Sequence, residues 1–143
     1  NIQGAAAYNH FVADSLEQWG TISHHNFDAH ISPEDLHTCY FPPLRECTKH
    51  AMGAMCSYNA LNGMPSCANP WLLRQVLRRD WKFDGYVVSD CGALDDIVTG
   101  HHSAVDATQA SAMALNASVD VNCGNGDYYP NGLLQAYQEG WVE

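Results

Sequence analysis

Basic residues are scarce in this chain: 6 Lys and Arg stand against 16 Asp and Glu, a formal charge of −10 over 143 residues. That balance argues against a nucleic-acid partner or an anionic membrane surface, both of which need clustered cations. No apolar run reaches the roughly 20 residues of a membrane-spanning helix, and no stretch reads as a signal peptide. C-x-x-C pairs are missing, which excludes a zinc ribbon and a thioredoxin-like motif. So are the G-x-S-x-G elbow of serine hydrolases, the P-loop and the dinucleotide fingerprint G-x-G-x-x-G. H-E-x-x-H is absent too. The eight histidines include the pairs His24-His25 and His101-His102. Adjacent positions on a strand point to opposite faces, so neither pair forms a bidentate metal site. No cofactor and no metal are expected.

What is present is a packed α/β pattern. Hydrophobic residues make up 46% of the chain and charged residues 15%, enough apolar material for a real core. Four of the six cations, Arg74, Arg78, Arg79 and Lys82, fall on one expected helix and its exit and read as a solvated face. The cysteines are Cys39, Cys47, Cys56, Cys67, Cys91 and Cys123. An even number fits an oxidising, extracellular compartment but leaves about fifteen pairings open. Asn116-Ala117-Ser118 is a formal glycosylation sequon, consistent with secretion. The chain opens on Asn1-Ile2-Gln3 without Met and stops soon after an apparent helix, as a piece of a longer protein would.

Strand and helix signals alternate. Ala5 to Tyr8 predicts a short strand, with a loop at Asn9-His10, and 27–31 predicts a second extended piece. Ser32-Pro33-Glu34-Asp35 is a helix start: a cap, a proline at the first position, and acids at the positive end of the dipole. Pro42-Pro43 then predicts a break, with 44–50 as a separate helical turn. A strand at 54–58 precedes a turn-rich stretch over 59–65. Asn69-Pro70 caps a helix reaching about Asp80, with Leu72, Leu73, Val76 and Leu77 as its apolar stripe. Further expectations are a strand at 86–88, an Ala-rich helix at 103–116, a strand at 119–121 and a helix at 132–138. Strand starts about thirty residues apart are the spacing of β-loop-α units. The pattern therefore predicts part of a (β/α)8 barrel, roughly its C-terminal half. A complete small doubly wound domain is the structural alternative, since half a barrel leaves two open sheet edges.

In either fold the C-terminal ends of parallel strands carry the chemistry. Gly85-Tyr86-Val87-Val88-Ser89-Asp90-Cys91-Gly92 puts Asp90 at such an end, where a carboxylate can attack an electrophilic carbon or take a proton. Tyr58, Asn59, His10 and Asp120 occupy similar positions. Tyr58 is placed to donate a hydrogen bond to the Asp90 carboxylate, or it is simply a half-buried strand-end aromatic. Asn59, Asn122 and His10 suit sugar hydroxyls. Asp120 either points into the mouth or satisfies a loop. Nothing marks an activating base beside Cys91.

These residues fall in a recognisable order. Met55-Cys56-Ser57-Tyr58-Asn59, Asn62-Gly63, Pro65, Cys67, Trp81 and Gly85 through Cys91 closely resemble glycoside hydrolase family 3. The Ser-Asp-Cys form resembles its plant and fungal β-xylosidase branch, as do Val119 through Gly124, Trp19-Gly20 and Phe27-Asp28-Ala29. The resemblance implies a retaining β-glycosidase acting on terminal β-linked xylose, with Asp90 as nucleophile and Tyr58 in contact with nucleophile and substrate. It implies an acid/base carboxylate on a second domain beyond residue 143, so the isolated segment is expected to be inactive. The family carries Lys-His where this chain has Asn9-His10, and an arginine in the segment where His24 falls. Both clamps on the sugar are thus replaced, which leaves a non-catalytic or altered-specificity sugar binder as the alternative. Cys91, in place of a tryptophan beside the nucleophile, would reshape the first subsite, and a disulfide there would narrow it. The site residues expected are Asp90 for catalysis and Tyr58, His10, Asn9, His24, Asn59 and Cys91 for substrate, with a carbohydrate as partner.

Overall fold

Three parallel strands form the centre of the computed structural model, which describes residues 4–124 and 128–143; Asn1-Ile2-Gln3 lies outside the described residues. The strands are β1 (Ala7–Phe11), β5 (Gly53–Cys56) and β8 (Tyr86–Ser89), in the order β1-β5-β8. Tyr8 is in register with Ala54, and Ala54 with Val87. Phe11, Ala54, Cys56 and Val87 are fully buried, as expected when helices and loops cover both faces of a parallel sheet. The strand expected at 119–121 is a single parallel bridge between Val121 and Val88. It still extends the order, because the amides of Asp120 and Val121 both donate to Val87 O.

Around this sheet lie short strands: β2 (Gln18–Trp19), β3 (Ile22–Ser23), β4 (Asp28–Ala29), β6 (Ala60–Leu61) and β7 (Met64–Pro65). The turn-rich stretch is therefore a hairpin, β6-β7, which pairs in parallel with β4. Asn62 and Gly63 both adopt positive φ, 50° and 86°, the demand of a tight primed turn that an Asn-Gly pair meets. The Asn62 side chain also bonds both Ile31 N and Ile31 O at 2.9 Å. The first strand sits later than expected: Asn9 and His10 lie inside β1, because pairing with β5 carries it to Phe11 despite their poor strand propensity.

Helices α1 (Pro33–Asp35) and α2 (Phe41–Cys47) are joined by a wide π-type turn at Leu36–Tyr40. Ser32 Oγ accepts from Asp35 N at 3.1 Å, the cap read from the sequence. Pro42 and Pro43 do not break the helix. The wide turn closes through Phe41 N–H to Leu36 O and leaves both prolines in the first turn of α2, where no N–H is required. A second π-type helix, Trp71–Asp80, buries Leu72, Leu73, Val76 and Leu77 as its pattern predicts. Then come α3 (Ala93–Thr99), which no sequence signal had suggested, α4 (Ala107–Ala117) and α5 (Leu133–Gln138).

Arg78 departs from its expected role as a solvated cation. It donates to Phe83 O and Gly85 O, lies over the Phe83 ring, and meets Asp120 Oδ2 at 2.6 Å. The same Asp120 oxygen accepts from Val87 N at 2.6 Å. Asp120 thus ties its own segment to the start of β8 and leaves the mouth to others. Replacing Arg78 by Ala should cost about 2 kcal/mol, because charge-assisted bonds to fixed acceptors are lost. Arg78→Lys should recover less than half, since an ammonium lacks the planar fork. Urea unfolding of the two variants checks both.

Candidate active site

The C-terminal ends of β1, β5 and β8 lie side by side, and three short motifs leave the sheet there. Ser57-Tyr58-Asn59 follows β5 with alternating directions. Ser57 Oγ and Asn59 Nδ2 each donate to Val12 O at 3.2 Å, and Ser57 N donates to Phe11 O. The side chain between them, Tyr58, turns outward. Asn59 also donates to Ala60 O and is fully buried. It fixes the backbone and offers no exposed surface where a substrate contact was expected.

Ser89-Asp90-Cys91 follows β8 in the same way. Ser89 Oγ donates to Asn122 Oδ1 and accepts from Cys123 N, and Cys91 is bonded to Cys123. Asn122 therefore serves the framework. Gly92, at φ +91°, turns the chain into α3 as only glycine does freely. Between these anchors the Asp90 carboxylate is held at both oxygens. Cys91 N donates to Oδ1 at 2.7 Å, and His10 Nε2 stands 3.0 Å from Oδ2. The Asp90 side chain keeps 12% of its exposure, a buried carboxylate with one open edge.

His10 bridges two acids. Its Nδ1 stands 3.6 Å from Asp14 Oδ2, and the Asp14 side chain is only 7% exposed. Burial pushes the Asp14 carboxyl above its ordinary range, with His10 and His24 opposing. Asn9 is exposed, its Nδ2 3.4 Å from His10 Nε2.

Tyr58 donates to Cys91 O at 3.0 Å, and its hydroxyl also makes the expected hydrogen-bonding contact with the Asp90 carboxylate. Burial, followed by the Asp90 charge, pushes its hydroxyl up to about 12. His24 and His25 both pack on its ring, with centroids 4.6 and 4.7 Å away. Because the pair lies on a turn after β3, strand alternation does not apply and both rings reach one side. His24 Nδ1 contacts Glu17 Oε2 at 3.3 Å. His25 Nδ1 reaches Asp96 Oδ2 at 2.7 Å on α3, and a Cβ at Gly100 would collide with His25 O. His101 Nε2 reaches Tyr58 O at 2.8 Å. Asp14, His25, Asp96 and His101 escaped the sequence reading. Only His25 and His101, each as a member of an adjacent histidine pair, carried any signal there.

The geometry joins Asp90, His10, Tyr58, His24 and Cys91 and leaves Asn59 and Asp120 outside. It defines an α/β domain with a positioned, partly exposed carboxylate at the C-terminal edge of a parallel sheet. Residues 4–141 match the model of the glycosyl hydrolase family 3 N terminal domain, and the chain belongs to that family. It is 45% identical to a probable exo-1,4-beta-xylosidase of Aspergillus clavatus and 44% identical to an exo-1,4-beta-xylosidase of Emericella nidulans. Each alignment covers 96% of this chain and 18% of the relative, so the chain spans about a fifth of their length. Among solved structures, a GH3 exo-beta-xylosidase bound to a xylobiose aziridine probe superposes with a TM-score of 0.90 at 33% identity, over 96% of this chain and 18% of that one. A beta-glucosidase from Listeria innocua in complex with glucose does so with 0.87 at 28% identity, over 99% and 19%.

Two outcomes follow. Cys91→Ser with Cys123→Ser should lower stability by about 3–4 kcal/mol, the loop-closure value for a 32-residue separation; urea unfolding checks it. In tyrosine 13Cζ NMR titrations, Asp90→Asn should move the Tyr58 midpoint down from about 12, because a neighbouring negative charge is removed while burial remains.

Proposed function

We propose that this chain is the nucleophile-bearing barrel segment of a secreted, retaining β-xylosidase. Asp90 attacks the anomeric carbon of a terminal β-linked xylose and forms a covalent glycosyl-enzyme, which water then hydrolyses. The observation that carries the reading is the carboxylate held at both oxygens with one open edge. The Cys91 amide on Oδ1 and the His10 ring against Oδ2 hold it at a fixed point, as a nucleophile requires. His10 lies against Oδ2, and Tyr58 is locked to the Cys91 carbonyl beside it. The Cys91–Cys123 bridge sits at the exposed edge of the site and narrows the space beside the nucleophile, which favours a pentose over a sugar with a C6 group. The acid/base carboxylate belongs to a further domain of the same polypeptide, about 5 Å from Asp90 in the assembled site.

Two disulfides, Cys56–Cys67 and Cys91–Cys123, support an oxidising compartment. The sequon supports it less, because Asn116 Nδ2 is engaged with Trp141 O. Among the described residues no helix is long and apolar enough to cross a membrane.

The altered clamp supports a second reading, a sugar-binding relative with changed specificity. Asn9 is exposed and uncharged, and His24 is turned toward Glu17 and the Tyr58 ring. One experiment separates the two. After incubation with 2-deoxy-2-fluoro-β-xylosyl fluoride, whose fluoride leaves without protonation, peptide mass spectrometry should find a xylosyl adduct on Asp90. Folded chain with no adduct overturns the hydrolase reading in favour of the sugar binder.

A further inference from the structure

We infer that the cleft at the end of β1 is a zinc site, formed by His10, Asp14 and Asp90. One ring nitrogen of His10 and one carboxylate oxygen from each aspartate lie within 4.8 Å of one another. Four-coordinate zinc holds nitrogen and oxygen ligands at about 2.0–2.2 Å, which places tetrahedral ligands about 3.4 Å apart. Side-chain rotation of about an ångström therefore closes the three groups on one ion and leaves a fourth position open to solvent.

The independent sign of a missing ligand is Asp14. Its side chain is 93% buried, since 7% remains exposed, and its Oδ1 has no hydrogen-bond partner. A buried carboxylate oxygen without a donor is costly, and a cation satisfies it. The charged groups around Asp14 are His10, His24, Glu17 and Asp90, with no Lys or Arg among them. Asn9, beside His10, is neutral. One imidazole with two carboxylates suits zinc better than magnesium or calcium, which prefer oxygen alone. The −10 charge of the chain adds a favourable field.

The consequence for activity rests on the proposed function: zinc would bind the carboxylate that attacks the sugar, making the ion an inhibitor rather than a cofactor. Binding itself does not depend on that reading.

The test uses the 143-residue chain with Cys39→Ser and Cys47→Ser, because free, exposed thiols are zinc ligands by their chemistry and would compete for the ion. Titration with zinc chloride at neutral pH should show saturable uptake of one equivalent. Asp14→Asn and His10→Gln should each weaken it at least tenfold with the circular dichroism unchanged. In the same chain without those two substitutions, zinc should shift the His10 ring resonances before those of the exposed histidines His30 and His50. Saturating zinc should also slow labelling of Asp90. No saturable uptake, uptake indifferent to both substitutions, or His10 resonances that do not move would each overturn the site. Zinc uptake with no Asp90 labelling in zinc-free chain would instead overturn the nucleophile reading and leave the metal site standing.

Discussion

The parallel register of β5 between β1 and β8 is the constraint on which the site depends. It sets the ends of three strands level, so that side chains separated by up to eighty residues in sequence meet at one edge. Tyr8 and Val87 both align with Ala54. From that alignment His10 arrives beside Asp90, and Tyr58 arrives over the loop that follows it. The strand β8 resists slipping, because a one-residue shift would move Val87 from its fully buried face to the half-buried face of Tyr86 and Val88. The positions of the side chains at this edge are thus consequences of apolar packing, and the polar contacts refine them.

The motifs at the strand ends divide their work by alternation. In Ser57-Tyr58-Asn59 the outer residues hold Val12 O and the middle one faces outward. In Ser89-Asp90-Cys91 the outer residues hold the 122–123 segment and the middle one presents its carboxylate. A strand's two-residue period makes this division automatic. It also explains why a three-residue motif can carry so much information: one residue faces the open edge, and two fix where it stands.

The same alternation separates what was legible in the sequence from what was not. Strand ends at Tyr58 and Asp90 could be read from β-formers followed by turn residues, and the stripe of Leu72, Leu73, Val76 and Leu77 from its spacing. Asn59 misled because a polar residue at a strand end looks the same whether it faces the mouth or the backbone behind it. Asp14 and Asp96 gave no signal, and His101 only that of an adjacent pair, since each acts through contact with a residue distant in sequence or across a turn. Arg78 looked like surface because helix period alone cannot show the carbonyls of Phe83 and Gly85 waiting at the helix exit. The prolines at 42 and 43 misled for a related reason: local rules assume an ordinary helix before them, and the wide turn at Leu36–Tyr40 removed the conflict.

Electrostatics then decides what kind of recognition this edge supports. No Lys or Arg enters it among the described contacts; its polar groups are imidazoles, a tyrosine and the carboxylates of Asp14, Glu17, Asp90 and Asp96. His10 lies between Asp14 and Asp90, His25 leans on Asp96, and His24 and His25 share the Tyr58 ring. Each imidazole is therefore committed to a carboxylate or a ring before any ligand arrives. Under the proposed function, a fixed arrangement of this kind loses little entropy on docking a sugar, but it lacks the rigid multi-donor fork of an arginine. Specificity must come from shape: the turn at Gly92, the bridge at Cys91–Cys123 and the histidine pair held by Gly100 against α3 define the walls, and the open edge of Asp90 is the point they leave accessible.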